Sequence, residues 1–149
     1  MSAVSEIMPT RKIITLMVES TSSALDIVRL MIREKVGSVV MTDQTGKAIG
    51  IVTERDILKK VTGSNKKAND VAAQEIMSCP VITIKTIDSI DTAAEVMAKN
   101  RIKRVVVVEQ EGSPVGVLSV TDITRKLARI LATDYTRYGH LKAVLDLVN

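Results

Sequence analysis

The strongest constraint on this chain is that it repeats itself. The passage Gly46-Lys47-Ala48-Ile49-Gly50-Ile51-Val52-Thr53-Glu54-Arg55-Asp56-Ile57 returns 66 residues later as Gly112-Ser113-Pro114-Val115-Gly116-Val117-Leu118-Ser119-Val120-Thr121-Asp122-Ile123. Each copy runs from a turn through a glycine and two aliphatics to a hydroxyl residue, with an aspartate three positions on. The aliphatics suit a buried strand, and the hydroxyl residue is an N-cap for a following helix. A strand feeding a helix start gathers free backbone N–H groups, the positive end of the helix dipole, a hydroxyl and a carboxylate. That is a set of groups suited to a nucleoside phosphate.

The upstream residues are duplicated too. Ile7-Met8 is echoed by Ile76-Met77, 69 residues on, and a strand at Ile13 to Val18 by Val81 to Ile84. Ser22 or Ser23 precedes Ala24, Ile27, Val28, Met31 and Ile32, an apolar helix face that recurs as Ile90, Ala93, Ala94, Met97 and Ala98. Val39 to Met41 is a buried strand, matched by Val105 to Val108, and Asp43 to Gly46 and Glu111-Gly112 are turn chemistry. Each unit reads β-α-β-β-α. The expected layout is repeat 1 over residues 7–61, a polar linker over 62–75, repeat 2 over 76–132 and a helical tail over 133–149. A chain of 149 residues buries about two-thirds of its unfolded surface, so neither half has much core of its own. Two copies sharing an apolar face bury a continuous core and leave clefts at a pseudo-twofold junction. The fold class is therefore a mixed α/β (α+β) arrangement of tandem units packed as a pair.

Composition narrows the chemistry. The chain has no Phe or Trp and two Tyr, so any bound base would lie between aliphatic side chains. A net charge of +4 mildly favours an anionic partner. One cysteine, Cys79, rules out an internal disulfide and a thiolate-rich metal site. No apolar run has membrane-spanning length and no signal-peptide pattern opens the chain, which points to the cytoplasm and away from a membrane partner. Gly46-Lys47 lacks the flanking residues of a P-loop, there is no HExxH or GxGxxG, and the single His140 has no nucleophile to serve. No catalytic or metal-ligating residue is assigned, and the chain is not expected to be an enzyme.

The duplicated glycine–aliphatic–aliphatic–Thr/Ser–x–x–Asp motif, closing each β-α-β-β-α unit, resembles the CBS domain pair (the cystathionine β-synthase-type, or Bateman, module) over about residues 7–132. The resemblance implies regulatory binding of an adenine nucleotide (AMP, ADP or ATP, in some members S-adenosylmethionine) in clefts between the repeats, with no obligatory cofactor. Asp56 and Asp122 would hold ribose, since a carboxylate matches the two donors of a vicinal diol. Thr53 and Ser119 would contact ribose or phosphate; Ile14, Thr15, Val81, Ile82 and Thr83 would line the adenine. Arg55, Lys103 and Arg104 would reach phosphate. Thr121 stands where repeat 1 has Arg55, and Gly37-Ser38 where repeat 2 has Lys103-Arg104, so the two sites should be chemically unequal. The resemblance further implies a homodimer and, with no effector domain fused, a separate effector protein.

Two other readings stay open at this level. Thr53-x-x-Asp56 and Ser119-x-x-Asp122 also fit helix capping boxes, which need no ligand. The basic clusters Lys59-Lys60, Lys66-Lys67, Arg101 to Arg104 and Arg125-Lys126-Arg129 would suit nucleic acid, although stacking aromatics and a nucleic-acid-binding signature are missing. A structural adaptor with unused clefts is the third.

Overall fold

Ser23 starts the first helix because its hydroxyl accepts the Asp26 N–H at 3.2 Å while the Asp26 carboxylate takes the Ser23 N–H at 2.9 Å. These bonds, through the Ser23 backbone and then its side chain, hold the Asp26 carboxyl below its ordinary range against some desolvation, with Arg29 assisting. This cap is therefore complete at neutral pH and is lost only in acid, as the carboxyl protonates. The computed structural model describes residues 3–8 and 13–132. The tail expected over 133–149 lies outside the described residues.

Repeat 1 comprises β1 (Thr15–Met17), α1 (Ala24–Glu34), β2 (Ser38–Thr42), β3 (Ala48–Thr53) and α2 (Glu54–Lys60). After two short 3-10 turns comes α3 (Ala73–Ile76), then repeat 2: β4 (Thr83–Lys85), α4 (Ile90–Asn100), β5 (Arg104–Val108), β6 (Pro114–Ser119) and α5 (Val120–Ala132). Each repeat forms a three-stranded sheet with a parallel outer pair and an antiparallel inner pair, β1-β2-β3 and β4-β5-β6. Val40 sits opposite Ile51, and Val106 opposite Val117. The register slips once in each sheet, at Met41/Thr42 and at Val107/Val108, as a duplicated backbone requires.

Successive residues of a strand point to opposite faces, and here that alternation builds three cores. Val39 and Met41 of β2 pack with Ala24, Ile27 and Met31 of α1. Val105 and Val107 of β5 pack with Ala93 and Met97 of α4. The opposite faces meet each other: Val40, Val106 and Val108 form a third cluster with Ile51, Val81 and Val117. This is the contact that joins the repeats.

The segments ahead of β1 and β4 are exchanged. Val4 is fully buried in the core of repeat 2, held by Val4 N–H donating to Asp88 O at 2.8 Å. In return Val71, Ala73 and Ile76 fill the core of repeat 1, with Ala24 N–H bonded to Val71 O at 2.7 Å. Met8 then crosses Gly116, and Met77 crosses Gly50 with its Sδ at 2.8 Å from where a Cβ would stand, so each methionine lies over the bare backbone of a glycine in the opposite strand segment. Each half completes the other. Ile76→Ala should therefore cost about 2–5 kcal/mol and lower one common urea transition, followed by circular dichroism. Two separate transitions would contradict a shared core.

Candidate functional site

Both motif aspartates close the start of their own helix. Thr53 donates its N–H to Asp56 Oδ2 at 2.9 Å and its Oγ1–H to the same oxygen at 3.1 Å. In repeat 2, Ser119 N–H and Oγ–H both reach Asp122 Oδ2 at 2.8 Å, and Asp122 N–H returns to Ser119 Oγ at 3.1 Å. The aspartates are buried, at 7% and 5% exposure. A buried carboxylate must be hydrogen-bonded, and the cap meets that need for one oxygen.

The other oxygen differs between repeats. Asp56 Oδ1 accepts Ser78 Oγ–H at 3.0 Å and lies 2.9 Å from Lys60 Nζ, which also donates to Ile76 O at 2.9 Å. Asp122 Oδ1 lies 3.7 Å from Arg125 Nη1. Ile76-Met77-Ser78 corresponds in sequence to Ile7-Met8-Pro9, so repeat 2 has a proline, without a hydroxyl, where repeat 1 has Ser78.

A cleft of about 1090 Å³ opens at Asp122. One wall is repeat 2: Val117 of β6, Ser119 to Asp122 at the helix start, and Arg125, Lys126 and Arg129 along α5. The other comes from repeat 1, with Ile13-Ile14 and Lys35 to Ser38, completed by Glu6 to Met8 and by Lys103-Arg104. Among the described residues the cleft thus presents six cationic side chains and two carboxylates, with Ile13, Ile14, Val36 and Val117 as an aliphatic lining. Gly37 makes this possible. A Cβ there would lie 2.6 Å from Arg104 Nη2, so the guanidinium uses the space that a side chain on repeat 1 would fill.

Of the residues singled out from the sequence, Ile14, Ser38, Lys103, Arg104, Ser119, Thr121 and Asp122 come together in this cleft. Thr53, Arg55, Asp56, Val81, Ile82, Thr83 and Thr15 lie outside it. Arg55 is exposed, Val81 belongs to the inter-repeat cluster, and Ile82 packs on the core of repeat 2. Sequence reasoning did not place Arg125 and Arg129 at the cleft. Their spacing of three and seven from Asp122 was the available signal, because it puts all three on one helix face. Lys35 gave none: it is the left-handed end of α1, at φ 54°. Among the described residues no group of three or more His, Cys, Asp or Glu could hold a metal ion, and no helix is long and apolar enough to cross a membrane.

The model of the CBS domain matches the chain twice, over residues 4–63 and 73–129. This chain belongs to the CBS domain family. Among solved structures, a CBS domain protein from Pyrobaculum aerophilum complexed with AMP superposes with a TM-score of 0.75 at 29% identity, covering 89% of this chain and 99% of that one. A CBS domain pair in complex with 5′-methylthioadenosine and S-adenosyl-L-methionine gives a TM-score of 0.74 at 29% identity, over 85% and 99%. An uncharacterized protein of Methanopyrus kandleri is 34% identical over 113 residues, 76% of this chain. The chain spans 58% of that relative's length, and 19% of an inosine-5′-monophosphate dehydrogenase of Nitrosopumilus maritimus that is 32% identical over 102 residues. The pairing of two CBS repeats in one mixed α+β unit is the fold of these neighbours.

Asp56 thus has a structural load that Thr53 lacks. Lys60 is 41% exposed, so its ion pair adds little in water; the cap and the Ser78 bond carry most of the effect. Thr53→Ala should cost about 0.5–2 kcal/mol, and Asp56→Ala about 1 kcal/mol more because it also strips Ser78 of its acceptor. Equal losses in urea denaturation would contradict this assignment.

Proposed function

We propose that the cleft at Asp122 binds one adenine nucleotide per chain, and that the CBS pair uses this occupancy to regulate a separate effector protein. The observation that carries the reading is the meeting of a buried helix-start carboxylate, an aliphatic lining and cations from both repeats in one cleft. Adenine would lie against Ile13, Ile14, Val36 and Val117. Asp122 and Ser119 would take the ribose hydroxyls, and the lysines and arginines the phosphate. The structural neighbours with AMP, or with methylthioadenosine and S-adenosylmethionine, support an adenine-containing ligand.

We assign Asp56 a different part. Besides its cap it binds Ser78 and lies beside Lys60, contacts that tie α2 to the Ile76–Ser78 segment and that a ribose there would have to displace. Thr53, Arg55, Val81, Ile82 and Thr83 then belong to a closed counterpart of the working site. A ligand at Asp122 touches both repeats at once. It therefore favours one relative tilt, and with it one form of the outer helical surface. Exposed Ile32 of α1, Leu58 of α2 and Leu127 and Ile130 of α5 are apolar positions on that surface, in keeping with a helix-mediated homodimer.

Calorimetry with AMP, ADP and ATP should give one site per chain. Asp122→Asn should abolish it and Asp56→Asn should leave it in place. At a hundredfold the Kd the nucleotide should add about 2.7 kcal/mol of stability, read as a rise in Tm. Gly37→Ala should weaken binding by displacing Arg104 while changing stability by less than about 0.5 kcal/mol. Undiminished binding by Asp122→Asn would end the assignment.

A further inference from the structure

We infer that the cleft discriminates nucleotides by the length of their phosphate chain, holding a di- or triphosphate better than a monophosphate, with Arg129 as the discriminating residue. This rests on the adenine-nucleotide reading above and names the ligand class within it. The cleft does not end at the helix start. It runs along α5 past Arg125 to Arg129, residues that lie about 4.5 Å and 10 Å beyond Asp122 along the helix axis. A nucleotide with its ribose at Asp122 can lay its first phosphate near Arg125 and later ones towards Arg129. Lys103 and Arg104 close on the same space from β5, and Lys35 from the end of α1.

Charge supplies the second argument. Among the described residues, six cations against two carboxylates leave an excess of four positive charges in the lining. A single phosphate carries about two negative charges, so a mononucleotide leaves half of that excess unmatched. Arg125 sits beside Asp122 at 3.7 Å, and part of its field is answered within the protein. Arg129 is exposed at the far end of the cleft, where only a longer chain reaches. Arg125 and Lys126 correspond to Lys59 and Lys60, so what is peculiar to repeat 2 is the far rung and the β5 pair. The position corresponding to Arg129 in repeat 1 is Gly63, and those corresponding to Lys103 and Arg104 are Gly37 and Ser38.

The test is calorimetry of the full chain with adenosine, AMP, ADP and ATP at fixed ionic strength, for wild type, Arg129→Ala and Arg129→Lys. Affinity should rise with each phosphate, with ATP about tenfold or more tighter than AMP, the worth of one charge-assisted hydrogen bond. The gap should narrow as salt is raised. Arg129→Ala should remove most of the ATP advantage and leave AMP binding within about twofold, and Arg129→Lys should restore part of it. Equal binding of AMP and ATP, or an Arg129→Ala variant that weakens both alike, would overturn the inference and leave the nucleotide site standing. Failure of all four ligands to bind would overturn the site and the inference together.

Discussion

The packing of Val40 against Val106 holds the rest of the molecule in place. These two valines occupy equivalent positions on the central strands, are both fully buried, and face away from their own helices. The contact is aliphatic, and at about 25 cal/mol per Å² of buried apolar surface it is a stabilising seam between the repeats. Because it joins the central strands of both sheets, the ends of the strands on either side of it also face each other. The cleft at Asp122 is the space left where β1 and β2 of repeat 1 meet β6 and α5 of repeat 2. Exchange of the leading segments reinforces the same geometry, since Val4 and Ile76 each anchor in the core of the opposite repeat.

Duplication would by itself give two equal clefts. Three local differences break the symmetry, and each has a steric or hydrogen-bonding cause. Arg104 can cross the axis only because Gly37 has no side chain to meet it. Ser78 donates to Asp56, whereas the corresponding Pro9 has no hydroxyl with which to serve Asp122 in the same way. Gly63 follows α2 where Arg129 extends the cationic face of α5. Small residues of repeat 1 at 37, 38 and 63, against cations of repeat 2 at 103, 104 and 129, thus make the cleft at Asp122 strongly cationic. A chain with a net charge of only +4 obtains a strongly cationic cleft by this distribution and not by composition.

Much of this architecture could be read from the residues. The short aliphatic runs and the apolar helix faces marked the strands and helices, and the caps at Ser23, Thr53 and Ser119 marked the helix starts. The inequality of the two sites was visible as Gly37-Ser38 against Lys103-Arg104. Which cleft would gather the cations was not, because each wall is assembled from both repeats and sequence order does not say which residues face across the axis. The exchange of leading segments was hidden for the same reason: Ile7-Met8 and Ile76-Met77 matched as motifs without revealing that each serves the other half. The carboxylates fit both readings offered by their spacing. Their caps are formed, and at Asp122 the cap shares its residue with an open cleft.

The most direct measurement is a crystal structure of the full chain grown with ATP. The account predicts one nucleotide per chain, its ribose on Asp122 and Ser119 and its phosphates running along α5 towards Arg129, with the Ser78–Asp56 hydrogen bond intact. Nucleotide seated at Asp56 with Ser78 and Lys60 displaced, or an empty cleft at saturating ligand, would contradict it.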